Sequence, residues 1–489
     1  MNKQPYLTSF PKHILATAKR KKQAAIAKIR TQLQRSSLSG YAVLFSEVLS
    51  SDFLDGIDAT QRKRLYGNIP IFWAWLAQIL EQNSSCSRGL GLIQSWYHAL
   101  KLPSPTGDTS AYCKARKKLS LDFLKAVFDR VNTRLEALVT DDDLWNGLML
   151  KAIDGSSVQL MDTIENQEVY PQHTSQKPGC GFPTMGVAGL VNLSHGGWIN
   201  FIPHSWNVGD AKIANRCLPY LYENDLLLAD RAYCSYELIA KVTTGRKSNV
   251  LFRLHQRRHE QLNWDEGEEI NDYERVITWS KPTNRPKGSE LNKEEWKALP
   301  KTMKVRLIKM FFEARDGTMK ELVVVTNLLD HKKYDGLEMI DLYARRWEIE
   351  VQFRDVKTTM RMEQFTVKTP EMAHKTLYVM MIAYNLLRYL MKKAAREAGK
   401  PSHHMSFKAT LDLVCSSHES FRQVAATPRK ERKKRNGFII ALATKVLNIR
   451  PYRQEPRAVK RRPKGYQLLT QPRGEFKEIP HRNSYRKSA

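Results

Sequence analysis

Acidic residues are in short supply along this 489-residue chain. Its 50 Asp and Glu face 79 Lys and Arg, for a formal net charge of +29. A surface so short of negative charge calls for a polyanionic partner, nucleic acid before an acidic membrane face. Long hydrophobic runs are missing as well. The longest, LYVMMIAYNLL, is too short to cross a bilayer and is interrupted by Asn385, so no membrane partner is expected. The opening MNKQPYLTSFPKHIL has no apolar signal core, which points to the cytoplasm. Cysteine is sparse: Cys86, Cys113, Cys180, Cys217, Cys234 and Cys415 form no CxxC, as expected of reduced thiols rather than a zinc site. No GxxxxGK[ST] occurs, and RGLGLIQ at 88–94 has no strand before it. A nucleotide cofactor is therefore not expected.

What is present is a chain whose pattern changes several times. Residues 1–37 read as a basic N-terminal arm, with nine Lys or Arg and no acid in the first 35. Such a stretch orders on a phosphate backbone if it orders at all. Residues 38–143 carry helical periodicity, clearest in IPIFWAWLAQILEQ and LSLDFLKAVFDRVNTRLEAL. With the basic TSAYCKARKKLS between them, they read as a helical DNA-binding domain; a plain helical bundle is the alternative. From 144 to 256 the pattern turns strand-like (GLMLKAIDGSSVQLMD, then MGVAGLVNLSHGGWINFIPHSW) and afterwards alternates helix and strand. That order predicts a mixed α/β sheet. Residues 257–318 break the alternation and read as a β-rich insertion, and the sheet resumes over 319–369 from MKELVVVTNLL. Residues 370–428 form a C-terminal helical region. The last stretch, 429–489, holds 19 basic and 4 acidic residues and is expected to be an extended or mobile basic tail.

One stretch, YARRWEIEVQFRDVK at 343–357, has charges at suggestive intervals. It lacks Pro and Gly and is rich in helix formers. On a regular helix, relative to Tyr343, Arg346 falls at about −60°, Glu350 at about −20° and Lys357 at about −40°. Glu348 and Asp355 lie roughly 120–140° away by the same rotation. One stripe thus carries a single carboxylate among cations. A solvated face with i,i+4 pairs would look the same.

Two further carboxylates stand at telling places. Asp154 lies in the first predicted strand just before Gly155, and Asp230 ends the apolar run LLLAD. Each has a plainer reading: Asp-Gly makes turns, and Asp at a strand end caps helices. Taken together, Asp154, Asp230 and Glu350 suggest a carboxylate triad. Two carboxylates about 4 Å apart repel by roughly 4 kcal/mol at an effective dielectric near 20, and three pairs by roughly 12 kcal/mol. Such a cluster demands a counter-cation. Hard oxygen ligands select Mg²⁺, or Mn²⁺ in its place, over zinc. A two-metal site of this kind serves phosphodiester transfer.

With these residues in view, the chain resembles the insertion-sequence-four (IS-four) family of DDE transposases, in its YREK-signature group. Tyr343, Arg346, Glu350 and Lys357 match the Y-x2-R-x3-E-x6-K signature. DGSSVQLMDTIENQEVYP is similar to the family's first Asp region, LLLADRAYCSYELI to its second, and TSAYCKARKKL to the basic helix ahead of the core. The resemblance covers about 110 to 400. It implies an RNase H-like mixed-sheet catalytic core with a β-strand insertion, flanked by an N-terminal helical domain and a C-terminal helical and basic region. It further implies cut-and-paste DNA transposition with a hairpin at the excised end in well-known relatives, in a bacterial or archaeal cell at its nucleoid. The implied partners are double-stranded transposon ends with terminal inverted repeats and target DNA, met by a homodimer on DNA. Tyr343, Arg346 and Lys357 would grip phosphates beside the scissile bond, and Arg253 in VLFRL matches a family position near the end phosphate. An insertion Trp stacks a flipped base in relatives; Trp264, Trp279 and Trp296 are the candidates here, each also readable as a core aromatic. Two other classes compete: a catalytically silent DNA-binding derivative of a transposase, and a basic RNA-packaging protein. Binding alone needs no carboxylates beside phosphate, so neither accounts for the triad.

Overall fold

The computed structural model describes residues 40–58, 66–82, 84–99, 103–286, 288–313, 318–422, 428–448 and 469–476. The expected basic arm at 1–37 lies outside them, as do most residues of the expected tail. The chain divides into two compact units, one of residues 1–123 with 412–437, the other of 124–411 with 438–489.

The described part of residues 40–123 in the first unit is helical: α1 (Gly40–Leu44), α2 (Ser51–Ile57), α3 (Asn68–Leu80), α4 (Cys86–Ala99), α5 (Thr109–Lys118) and the start of α6 (Leu121–Glu136). Helix α3 is buried at every position from Ile71 to Leu80, so it is the axis of the unit rather than an amphipathic outer helix. Helix α5 starts on Asp108, whose carboxylate accepts the Ser110 amide at 2.9 Å. Its cations do not all face water. Arg116 is buried with its guanidinium 4.1 Å above the Trp75 ring, while Lys114, Lys117 and Lys118 are exposed.

The second unit is built on a ten-stranded sheet. Its strands are β1 (Met149–Leu160), β2 (Thr184–Asn192), β3 (Gly197–Ser205), β4 (Asp225–Ala229), β5 (Asn249–Arg253), β6 (Glu268–Asn271), β7 (Glu274–Ser280), β8 (Thr302–Glu313), β9 (Met319–Thr326) and β10 (Gln364–Phe365). They lie in the order β3-β2-β1-β4-β5-β9-β8-β7-β6, with β10 beside β1. Strands β1, β2 and β3 pair antiparallel, and β4 and β5 continue the sheet parallel to β1. An antiparallel meander continued by parallel strands is the mixed α/β arrangement expected from the sequence pattern, and its strand order suits the RNase H-like core that the resemblance implies. Strand β4, DLLLA, is buried at all five positions, as a central parallel strand covered on both faces must be. The strands of the expected insertion are not a separate sheet. Strand β9 pairs with β5 on one side and β8 on the other, so hydrogen bonding runs unbroken from β3 to β6.

Helices cover the sheet: α7 (Ile164–Val169), α8 (Asp210–Cys217), α9 (Tyr236–Ala240), α10 (Gln256–Glu260), α11 (Lys293–Ala298), α12 (Gly336–Ala344), α13 (Trp347–Arg354) and the 28-residue α14 (Pro370–Glu397). Helix α14 opens on Thr369, whose hydroxyl accepts the Met372 amide, with Pro370 at its first position. Asn385, the residue that interrupts its apolar run, is buried and tied to β3. It accepts the Trp198 amide at 2.9 Å and donates to the Trp198 carbonyl at 2.8 Å. Two last helices follow, α15 (Phe407–Arg422) and α16 (Pro428–Ala443). Helix α16 corrects the expectation of an extended tail from 429. The basic RKERKKR runs straight into GFIIALA, whose Phe438, Ile439 and Leu442 are buried and give the segment a packed face.

Candidate active site

The register of three parallel strands sets the site. Ile153, Ala229 and Phe252 are aligned across β1, β4 and β5, so the next row is Asp154 midway along β1, Asp230 just past the end of β4 and Arg253 at the end of β5. Residues in one row of a sheet point to one face. Asp154 bends its Oδ1 back to the Gly155 amide at 2.8 Å, and Asp230 accepts the Arg231 amide at 2.7 Å.

Glu350 comes from helix α13. The expected single helix over 343–357 does not form as one piece. Helix α12 ends at Ala344, and Arg345 and Arg346 make a tight turn closed by three-residue hydrogen bonds: Arg345 amide to Leu342 carbonyl, Arg346 amide to Tyr343 carbonyl. Helix α13 then gives way at Asp355–Thr359 to a wider turn. Overwinding at one end and underwinding at the other replace the constant 100° step. Arg346 and Lys357 of the signature still reach β1, and Arg346 also reaches Glu350. Arg346 Nη2 lies 2.9 Å from Glu350 Oε1, and its Nη1 lies 3.7 Å from Asp154 Oδ2. Lys357 Nζ donates to Ser156 Oγ on β1 at 3.2 Å. Tyr343 is buried; that burial, outweighing the nearby Arg346 and Arg253 and reinforced by Asp230, pushes its phenol up to about 12.

The carboxylates also act on one another's charge. Asp154 titrates above the usual carboxylate range. Burial is the main cause, the Gly155 amide and Arg346 oppose it, and the negative charges of Glu350 and Asp230 add to it. Arg346 binds its proton more tightly than an ordinary guanidinium despite its burial, because Tyr343, Glu350 and Asp154 surround it. Glu348 points elsewhere and pairs with Arg345 at 2.7 Å.

The donor set suits a hard divalent cation: its oxygens are all carboxylate oxygens, which repel one another. The carboxylates are not drawn into a closed cage, however. Among the described residues no group of three or more His, Cys, Asp or Glu stands close enough to hold a metal ion.

Of the three Trp candidates, Trp279 and Trp296 are buried, and Arg258 covers the Trp279 ring at 4.3 Å. Trp264 is half-buried; its indole N–H donates to the Asp272 carbonyl at 3.2 Å and the Lys309 ammonium sits 4.0 Å from its ring. A base would have to displace that ammonium to stack there.

Two neighbours escaped the sequence reading. Ser156, the partner of Lys357, is two residues from Asp154 on the same strand, so period-two alternation alone would have placed both on one face. Arg231 follows Asp230 directly and reaches Gln256 at 3.3 Å, beside Arg253 in a shallow cleft that His259 and Glu321 also line. A cation adjacent in sequence to a strand-end carboxylate was the available signal.

Residues 145–386 match the transposase DDE domain family. The chain is 26% identical over 438 residues to the transposase InsG of insertion sequence element IS4 of Escherichia coli K12, covering 88% of this chain and 93% of that one. It is 22% identical to a putative transposase for insertion sequence element IS4SA of Synechocystis, over 66% of this chain and 82% of the relative. A solved structure of the piggyBac transposase synaptic complex with hairpin DNA superposes with a TM-score of 0.41 at 9% identity, over 83% of this chain and 86% of that one. No described helix is long and apolar enough to cross a membrane.

Proposed function

The chain is a DDE transposase of the IS4 family, and from that premise we propose that Asp154, Asp230 and Glu350 are the catalytic carboxylates of metal-dependent cut-and-paste transposition. The observation that carries this reading is that Asp154 and Asp230 directly follow the paired residues Ile153 and Ala229 on adjacent strands, with Glu350 linked to Asp154 through one guanidinium. The three carboxylates are the residues that would hold Mg²⁺, or Mn²⁺ in its place. When bound, the metal supplies Lewis-acid polarisation of the phosphoryl group and activation of the attacking oxygen.

The chain's own residues do the rest. Arg346 offers a planar fork suited to two phosphate oxygens, Lys357 a point charge beside Ser156, and Arg253 a cation at the end of the carboxylate row. Tyr343, buried next to Arg346, fixes the guanidinium's direction. These groups neutralise and position the scissile phosphodiester so that a water or a 3′-hydroxyl lies in line with the leaving oxygen. Attack by water nicks the end. Attack by the released 3′-hydroxyl on the opposite strand gives a hairpin, and on target DNA gives strand transfer. The substrates are double-stranded element ends with terminal inverted repeats, handled by a homodimer on DNA. The helical region over 38–143 binds the ends, and of Trp264, Trp279 and Trp296 it is Trp264 that is least buried and so best placed for a displaced base.

Incubating the full chain with linear duplexes carrying the terminal repeats, with and without Mg²⁺, tests the proposal. Cleavage at the end that needs the divalent cation and disappears in Asp230→Asn is expected. Sequence-specific binding without cleavage under any divalent cation would favour the catalytically silent alternative.

A further inference from the structure

Two of the three carboxylates converge on a single cation. The Arg346 guanidinium bridges Glu350 at 2.9 Å and Asp154 at 3.7 Å, with only 9% of the residue exposed. Asp230 is not part of that bridge and accepts the Arg231 amide instead. Arg345, the neighbouring cation, is committed to Glu348. Thus a counter-charge for Asp154 and Glu350 is supplied from within the chain. A guanidinium has one planar set of donors. Nη1 and Nη2 of Arg346 already face the two carboxylates, so a phosphate that takes that same edge of the fork must displace them. A divalent cation arriving between Asp154 and Glu350 would also meet the fixed positive charge of Arg346 at close range.

We propose that Arg346 is a placeholder cation. Without DNA it holds Asp154 and Glu350; when a phosphate of the bound end draws the guanidinium away, both carboxylates are released to the metal. DNA binding and divalent-cation binding at this site therefore reinforce each other, and by linkage each raises the affinity of the other by the same factor. The arrangement keeps the site poorly loaded until DNA is present, which guards against unproductive chemistry at a half-assembled centre. It rests on the reading of Asp154, Asp230 and Glu350 as metal ligands.

Equilibrium Mn²⁺ binding, read from the electron paramagnetic resonance signal of free Mn²⁺, tests this without catalysis. The titration uses the full chain with and without a duplex ending at the cleavage point. For the wild type, DNA should raise Mn²⁺ affinity by about tenfold or more, within the usual range of coupling between sites. Arg346→Gln should bind Mn²⁺ more tightly than the wild type when DNA is absent, and DNA should then add less than about twofold. Arg346→Lys, with one compact ammonium unable to span both carboxylates, should fall between them. It also serves as the readout if the Gln variant fails to fold by thermal melting. Unchanged DNA-free affinity in both variants, or undiminished coupling to DNA, overturns the placeholder. Asp230→Asn and Glu350→Gln in the same titration separate the two levels. If they bind Mn²⁺ with DNA as the wild type does, the ligand assignment itself fails and the placeholder with it.

Discussion

At the scale of single residues, charge geometry decides what each substitution should do. Asp154→Asn, Asp230→Asn and Glu350→Gln should each abolish strand cleavage while leaving end binding close to wild type in a gel-shift titration. Retained nicking in any one of them removes that residue from the triad. Arg346→Lys should lose most single-turnover cleavage of a pre-nicked end, because a point charge cannot replace a fork. Glu348→Ala, whose partner is Arg345, should cost no more than a surface helix pair, about 0.5 kcal/mol in thermal melting, with cleavage intact. A different residue governs pH. Asp355 is buried at the end of α13, and burial raises its pKa to about 6 against the pull of Arg388 and Arg354. Tyr384 also faces it. A folded-state value above the unfolded one means that the proton favours folding. That contribution is whole below about pH 4 and is lost as pH rises through about 6, a difference of roughly 2–3 kcal/mol. Asp355→Asn should therefore gain in melting temperature relative to wild type between pH 5 and pH 8. An equal difference at both pH values would contradict the assignment.

At the scale of elements, the site depends on packing that no periodicity shows. Gly189 on β2 is the register partner of Asp154, and a Cβ there would stand 2.1 Å from the Trp198 ring. Trp198 in turn lies 4.7 Å from the Phe353 ring on α13, the helix that carries Glu350. Gly189→Ala must push the indole toward that helix. Overpacking of this kind costs about 1–3 kcal/mol, and cleavage should fall further than the melting temperature alone explains. Wild-type melting and cleavage together would show that Trp198 has room to yield. Helix α16 carries the opposite kind of tension. Arg429, Lys430, Arg432 and Lys433 are exposed within its first turns, where the helix dipole disfavours cations. If they meet a DNA backbone, replacing all four by Gln should weaken binding to every duplex alike. The slope of log affinity against log salt should then drop by up to about 0.9 per lost contact. Loss of end specificity with nonspecific binding intact would instead mean that the helix reads sequence.

At the scale of the whole molecule, much of the plan was legible and the reasons are physical. Strand and helix periodicity located β1 to β5, β7 to β9 and α14, and the apolar run of β4 is too short for a helix of ordinary length. Two backbone features of the second unit escaped. The tight turn at Arg345 and Arg346 depends on three-residue hydrogen bonds that helix formers in the sequence conceal. The joining of the insertion strands to the core depends on which distant strand pairs with β5, and pairing partners leave no local mark. Ser156 was missed for want of applying the two-residue period past Asp154. The continuous sheet makes its own prediction for amide hydrogen exchange. The amides of β5 and β9 should open as one cooperative unit, and faster exchange confined to β6 through β9 would mean that the insertion unfolds independently.

That seam between β5 and β9 has a mechanical consequence. Arg253, the last residue of β5, is the register partner of Val324 on β9, so the cation that completes the carboxylate row is itself part of the joint. A hinge at this place would have to break the ladder that positions it. The β8–β9 ribbon therefore behaves as a stiff lever whose fulcrum lies one strand from Asp230. A force applied at its far end is felt at the carboxylate row as twist, without waiting for a loop to close.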